Sequence, residues 1–457
     1  MAKIFIEAIR DKHFLKWLFA LSLPIALQNL INAAVNTADT IMVGQLGDIS
    51  IASVGLANQI FFILSLILFG ISSGCNVFVA QFWGKNDTDS IRKTMALSIC
   101  LSLSVCIVFT IAAIFCPEVL MRIFTDDEQV ISLGCKYLRL IAFTYIPCGI
   151  SWTISNSVRT IERPALALAV SIVSLVTNTA LNYIFIFGKL GLPALGVEGA
   201  AIATAIARAV ELVIVIAALY TRFRFISIRP RDFMRAWNKN FVNPFARAVS
   251  PIILNETVWG LGVALYSVVY SRMGTGVVAA MNINSVFDNL FRALFFGISY
   301  SAGVIVGKTI GEGKEELALE YGKRINIITP IFSLAFTVII ALSSLIIKYI
   351  YNVSDEVVFY ASMVLIVSAV YAPLKNTTMV QMAGVLRSGG DTKFSLWLDL
   401  AGVWCIALPL GALFGLVLHC NIIIVHAAML SEEIVKAVLI TRRVFKGKWV
   451  KNLVHNL

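Results

Sequence analysis

The chain has 457 residues, of which 59% are hydrophobic and 14% charged. That leaves too few polar side chains to cover a water-soluble globule of this size, so the bilayer must act as solvent for most of its surface. The formal net charge of +11 needs no nucleic-acid partner, because basic residues between membrane spans answer to topology and to anionic lipid headgroups.

Twelve apolar runs are long enough to cross the hydrocarbon layer as helices, which takes about 20 residues each. They lie at roughly 14–43, 51–82, 95–116, 130–155, 165–188, 197–221, 243–271, 278–307, 325–351, 357–386, 394–416 and 420–441. A shift of 227 positions lays the chain on itself: Pro24, Gly47, Ala52, Phe69-Gly70-Ile71-Ser72 and Gly84 fall on Pro251, Gly274, Ala279, Phe296-Gly297-Ile298-Ser299 and Gly311. A shift of 228 aligns Arg159 with Arg387. The predicted fold is therefore an all-α polytopic membrane protein with twelve transmembrane helices in two pseudo-symmetric six-helix lobes. Such a duplication points to a carrier with a substrate path between its lobes. The lobes are read as residues 1–222 and 244–457, with 223–243 as a cytoplasmic linker and hinge.

Alternate loops hold 27 Lys and Arg residues against 5 in the opposite set, which predicts both termini in the cytoplasm of a plasma-membrane protein. The charged N-terminal arm, Lys3 included, leads into a retained first span and not a cleaved signal. The eight cysteines show no metal-ligand spacing and read as free thiols, while His13, His419, His426 and His455 are scattered. No Gly-rich phosphate loop is present, so no ATP motor and no cofactor are expected.

Polar groups inside the spans are the candidates for function, because an ionisable side chain at membrane depth costs about 2.5–3.5 kcal/mol on insertion scales. In the first span Gln28, Asn29, Asn32, Asn36 and Asp39 recur at spacings of three and four, which puts them on one helical stripe. Asn58 and Gln59 in the second span, with Asn178 and Asn182 in the fifth, are expected to complete a polar pocket. In the seventh span Glu256 follows Asn255 and Pro251 and is read as deeply placed, with a buried ion pair as the competing account. Asp288 and Arg292 in the eighth can pair at i,i+4, as a structural contact or as part of a coupling site. Lys375 in the tenth and Asp399 in the eleventh could pair across helices. Phe61, Phe62, Trp259, Tyr266, Phe287 and Tyr371 are candidates to line a soft cavity for flat or cationic compounds, against core or lipid-facing roles for any one of them.

These motifs resemble the multidrug and toxic compound extrusion (MATE) transporters. The resemblance is carried by Leu-Pro-Ile-Ala-Leu-Gln-Asn and Asp-Thr-Ile-Met-Val-Gly-Gln-Leu-Gly in the first span, and by Gly-Cys-Asn-Val-Phe-Val-Ala-Gln-Phe-Trp-Gly closing the second. Asn-Thr-Ala-Leu-Asn-Tyr-Ile-Phe-Ile-Phe-Gly in the fifth, Gly-Val-Glu-Gly-Ala-Ala-Ile-Ala-Thr opening the sixth and Gly-Val-Leu-Arg-Ser-Gly-Gly-Asp-Thr after the tenth extend it over nearly the whole chain. It implies cation-coupled antiport, not enzymatic activity, with Asp39 and Glu256 at the family's coupling positions. Asn182 stands where DinF-like members carry an aspartate and Asn376 where NorM-like members do, so the carboxylate set is a hybrid of the two branches. The ion-coupling candidates are Glu256, Asp39, Asp288, Asn182 and Asn376. The cavity candidates are Gln28, Asn32, Asn36, Gln59, Asn178, Asn255, Trp259, Tyr266, Arg292 and Tyr371. The coupling ion is a proton or sodium, with Glu256 as the candidate sodium ligand and the proton preferred. The expected partners are small organic substrates and membrane lipid, and the expected unit is a monomer. A flippase for a lipid-linked precursor or natural product is the alternative, favoured by a cavity ringed with Arg and Lys.

Overall fold

A computed structural model describes residues 10–351 and 353–455; the start of the N-terminal arm, including Lys3, lies outside the described residues. Among those residues, eleven helical segments are long and apolar enough to cross a membrane, from Lys12–Gly44 to Thr392–Val417. The twelfth span is made of two shorter helices, Ile422–Leu430 and Glu432–Lys446, separated only by Ser431. Three charged groups, Glu432, Glu433 and Lys436, interrupt its apolar pattern. The expected all-α membrane fold is the one observed.

The chain divides into two compact units. The N-terminal unit is Leu27–Val79 with Asn86–Phe245, and the C-terminal unit is Met1–Ala26, Ala80–Lys85 and Ala246–Leu457. The first span is one helix, Lys12–Gly44, with Pro24 inside it, and the boundary between units falls two residues after that proline. Proline removes a backbone hydrogen bond and crowds the preceding turn, so this is where the helix bends most cheaply.

In the N-terminal unit, Leu64, Leu68, Cys106, Ala113, Met121, Leu138 and Tyr145 form the centre of a buried cluster. The polar interval 223–243 packs on this unit. Arg92 donates to the Phe225 carbonyl at 2.9 Å, Tyr220 to the Ile228 carbonyl at 2.7 Å, and buried Asp232 accepts the Arg229 amide at 2.7 Å to open the short helix Pro230–Ala236.

The core of the C-terminal unit gathers segments far apart in the sequence. Phe14, Leu18 and Leu21 of the first helix pack with Phe295, Ile305, Ile310, Ile325, Val385, Ile440 and Trp449. At the rim, Asp11 receives the Phe14 amide at 2.9 Å and the Arg324 guanidinium at 2.6 Å. Burial alone would raise the Asp11 carboxyl, but these two donors outweigh it and hold the group below its ordinary value.

The C-terminal tail is part of this core. Trp449 is fully buried, donates to the Val444 carbonyl at 3.1 Å, and lies where a Cβ on Gly322 would come within 2.6 Å of its ring. Buried Gln81 donates to the carbonyls of Ser388 (2.9 Å) and Lys451 (3.2 Å) and accepts the Leu453 amide at 2.8 Å. Buried Asp391 takes Arg443 at 2.7 Å and Lys451 at 2.9 Å. Trp449→Ala should therefore destabilise by about 3–5 kcal/mol, the usual range for emptying a large aromatic site. Thermal unfolding in detergent checks this; an unchanged midpoint rejects a core role for the tail.

Candidate functional site

Each unit carries polar and charged side chains buried among its spans. In the N-terminal unit the stripe on the first span meets the fifth and sixth spans. Asn182 donates to Asp39 through its amide nitrogen and also reaches the Asn178 oxygen at 3.3 Å. Asn178 in turn donates to the Thr204 hydroxyl at 3.2 Å. The i,i+4 spacing of Asn178 and Asn182 on one helix, Pro164–Phe187, sets this ladder. Beside it lies a cavity of about 390 Å³ lined by Asn36, Asp39, Asn58, Phe61, Phe62, Tyr137, Ser174, Asn178, Thr204 and Arg208 among others.

Arg208 is held by Glu211 one turn on, at 2.7 Å, so the cavity wall presents a carboxylate at Asp39 and a guanidinium whose charge is already matched. Neither Arg208 nor Glu211 is among the residues anticipated from sequence; the visible signal is a charged i,i+3 pair in the middle of the sixth apolar run. Gln28, Asn32 and Gln59 do not line this cavity, in contrast to Asn36 and Asn178. Asn32 and Gln59 are exposed, and Gln28 is half-buried. The stripe turns away from the pocket toward its start because successive i,i+4 positions drift round a straight helix.

In the C-terminal unit Glu256 is buried and paired with Arg387, at 2.5 Å between Nη2 and Oε1. The ion pair weighed as the competing account is thus present. Its partner, Arg387, stands between the tenth and eleventh apolar runs and is one of the 27 basic residues counted for the cytoplasmic loops. Arg387 lies at the end of the tenth span, directly after a π-helical stretch Val380–Leu386, a wider turn of the kind that recurs at functional sites. Arg159, its equivalent in the repeat, is also buried and bonded to Asn156.

Asn255 donates to Asp399 at 3.1 Å. Asp399 pairs with Lys436 at 2.9 Å, not with Lys375, and Lys436 also meets Glu432 at 2.9 Å. Tyr266 donates to Glu432 at 3.3 Å, and Thr378 donates to Glu433 at 2.5 Å. A second π-helical stretch, Ala401–Ala407, follows directly after this part of the eleventh span. Glu432, Glu433 and Lys436 are not among the residues anticipated from sequence, although Glu-Glu-x-x-Lys stands inside the twelfth apolar run.

The expected Asp288–Arg292 contact is only marginal at 4.0 Å. Lys375 is the close partner of Asp288, at 2.7 Å, and Arg292 donates to Asn289. An i,i+4 pair leaves the carboxylate free to turn toward a neighbouring helix, and here the lysine of the tenth span reaches it first. Asn376 donates to Ser333 at 2.8 Å and is bonded within the helix packing. Buried His426 sits between Tyr270 (3.1 Å) and Ser368 (2.9 Å). Trp259 and Tyr371 are half-buried.

The MatE family model matches residues 24–184 and 251–413, one copy in each half of the repeat. The probable multidrug resistance protein NorM of Agrobacterium fabrum is 26% identical over 414 residues, covering 87% of this chain and 88% of its own. The multidrug resistance protein MdtK of Yersinia enterocolitica is 26% identical, with 87% of each chain covered. Among solved structures, a MOP superfamily transporter from Pyrococcus furiosus, reported with a binding pocket of reversed polarity, superposes with a TM-score of 0.86 at 20% identity over 97% of this chain and 98% of its own. A point mutant of the Vibrio cholerae MATE transporter VcmN gives 0.86 at 18% identity over 95% and 98%. Two matched repeats, the motif order and the twelve-span fold agree, and the chain belongs to the MatE family of membrane transporters.

Proposed function

We propose that the chain is a proton-coupled antiporter of the bacterial plasma membrane, with both termini cytoplasmic, that exports amphipathic organic cations by alternating access. The observation that carries this reading is the cavity in which the Asp39 carboxylate stands beside Phe61 and Phe62, while Arg208 is neutralised by Glu211. An apolar wall with one uncompensated carboxylate suits a compound with a flat apolar body and a positive centre. The NorM and MdtK relatives are named as multidrug resistance proteins, which supports a role in drug efflux.

Two groups are assigned to coupling. Asp39 is held by Asn182, which can donate to the ionised carboxylate and stays in place when the group is neutral. Glu256 has the Arg387 guanidinium as its partner. A sodium ion at Glu256 would have to share the carboxylate with a fixed positive charge, whereas a proton neutralises the carboxylate and frees the guanidinium. This favours the proton. A monovalent cation crossing about 100 mV supplies about 2.3 kcal/mol, before any concentration gradient is added. That energy is used only when ion and substrate favour different states.

The test is a proteoliposome assay with a fluorescent dye of fixed positive charge. A pH gradient in sodium-free buffer should drive dye against its gradient, and Asp39→Asn should abolish this while the protein remains folded. Transport that instead requires a sodium gradient at fixed pH overturns the proton assignment. A pH-driven flux unchanged in Asp39→Asn removes Asp39 from the coupling machinery.

A further inference from the structure

The polar network of the C-terminal unit has more buried carboxylates than cations. Glu256, Asp399, Glu432 and Glu433 face Arg387 and Lys436, an excess of two negative charges. The nearby Asp288, Lys375 and Arg292 carry one net positive charge among them and offset only one of the two. All four carboxylates of the network are buried or nearly so. Full ionisation would leave uncompensated charge in a medium that penalises it heavily.

The hydrogen bonds locate the deficit. Asp399 receives a donor on each oxygen, Lys436 on Oδ1 and Asn255 on Oδ2, and Glu256 has a guanidinium. Lys436 must divide its one charge between Asp399 and Glu432. Glu432 Oε1 receives only the Tyr266 hydroxyl. Its Oε2 lies 2.9 Å from Lys436 Nζ, the same ammonium that Asp399 Oδ1 draws on at 2.9 Å. The Asn255 oxygen, on a residue 4% exposed, accepts no hydrogen bond from another protein group among the described residues, beside Glu256 and Asp399. A buried network with this surplus of negative charge is relieved by taking up a proton.

The site is also built to hold its shape. Gly402, in the π-helical stretch of the eleventh span, makes room for it: a Cβ there would lie 2.6 Å from Glu432 Oε2 and closer still to the Lys436 side chain. Glu432 opens the last helix, but the chain enters it through Ser431 at φ −60° and ψ −21°, and the Ile434 amide is already bonded to the Ser431 carbonyl at 3.1 Å. The helix start therefore gives little help in keeping Glu432 ionised.

We propose that Glu432 is a proton-binding site separate from Asp39 and Glu256. With the proton on Glu432, Lys436 pairs with Asp399 alone. Loss of that proton draws Lys436 back toward Glu432 and loosens the contact between the eleventh and twelfth spans. Tyr266, Asp399, Glu433 and Lys436 are the charged or titratable groups around it, with the Thr378 hydroxyl on Glu433.

Infrared difference spectroscopy of the purified protein in lipid nanodiscs, titrated with pH in sodium-free buffer, reads buried carboxylic acids directly through their C=O stretch. Wild-type protein at neutral pH should show this band; Glu432→Gln should remove one component of it, and Glu433→Gln should leave that component in place. Added sodium at fixed pH should not change it. A folded Glu432→Gln protein with the wild-type band overturns the proposal, as does abolition of the component by sodium. Should Glu432→Gln not be recovered folded, Tyr266→Phe replaces it: losing the hydroxyl donor should shift the component to higher frequency, and an unshifted band overturns the assignment. Because the band reports protonation and not flux, its outcome is independent of the export assay.

Discussion

Glu256→Gln should stop coupled export and also lower the stability of the C-terminal unit. Glutamine keeps the shape and one acceptor for Arg387, but it removes the negative charge and cannot bind or release a proton. Arg387 is then a buried cation without its Glu256 counter-charge, which costs on the order of 1–3 kcal/mol when an acceptor remains and 3–5 when the partner is lost outright. The double change Glu256→Gln with Arg387→Gln removes both charges and should recover much of the stability while transport stays absent. Dye flux in proteoliposomes and thermal unfolding of the same preparations separate the two effects. Unimpaired flux in Glu256→Gln would remove Glu256 from the coupling machinery, and a double variant no more stable than the single one would remove the ion pair from the account of stability.

The second large effect is on folding. Gly84 and Gly311 are repeat partners at a shift of 227, and so are Gln81 and Lys308. A Cβ on Gly84 would fall inside contact distance of the Lys308 carbonyl oxygen, and one on Gly311 inside that of the Gln81 carbonyl oxygen. Ala80 and Gly307, also repeat partners, meet between them, with a Cβ on Gly307 only 2.6 Å from that of Ala80. The ends of the second and eighth spans thus cross backbone to backbone in a reciprocal contact, and neither side is a flexible side chain that could yield. Gly311→Ala should separate the two helix ends at a cost beyond the usual 1–3 kcal/mol or so of overpacking, seen as loss of the folded, monodisperse protein. Gly55→Ala, where nothing lies within 4 Å of the added carbon, should instead be neutral or mildly stabilising. Gly311→Ala that behaves like Gly55→Ala refutes the close crossing.

What can be read from sequence follows from how each signal is encoded. Span length, the duplication and the Asp39 stripe are periodic along the chain, and they are visible in it. The Asn178–Asn182 ladder is visible for the same reason, since both residues lie on one helix. Charge partners on different helices are not. Asp399 with Lys436, and Asp288 with Lys375, are choices that depend on helix rotation, which residue spacing does not fix. The Glu256–Arg387 pair is hidden in the same way, since the burial of Arg387 against Glu256 depends on how the end of the tenth span is oriented. Glu432 is hidden for a related reason: an apolar average over the twelfth run conceals its three charges, Glu432, Glu433 and Lys436.

Segments far apart in the sequence are built into the same unit, and this bears on how the protein is made. The helix from Lys12 and the segment through Trp449 and Leu453 close one core, so this unit cannot finish packing until the Trp449 segment has been synthesised. The Lys12 helix must wait in the membrane, incompletely packed, while the intervening spans are made. Loss of the Trp449 segment, by premature termination or proteolysis, would leave that helix exposed to quality control although the lesion lies far from it in sequence.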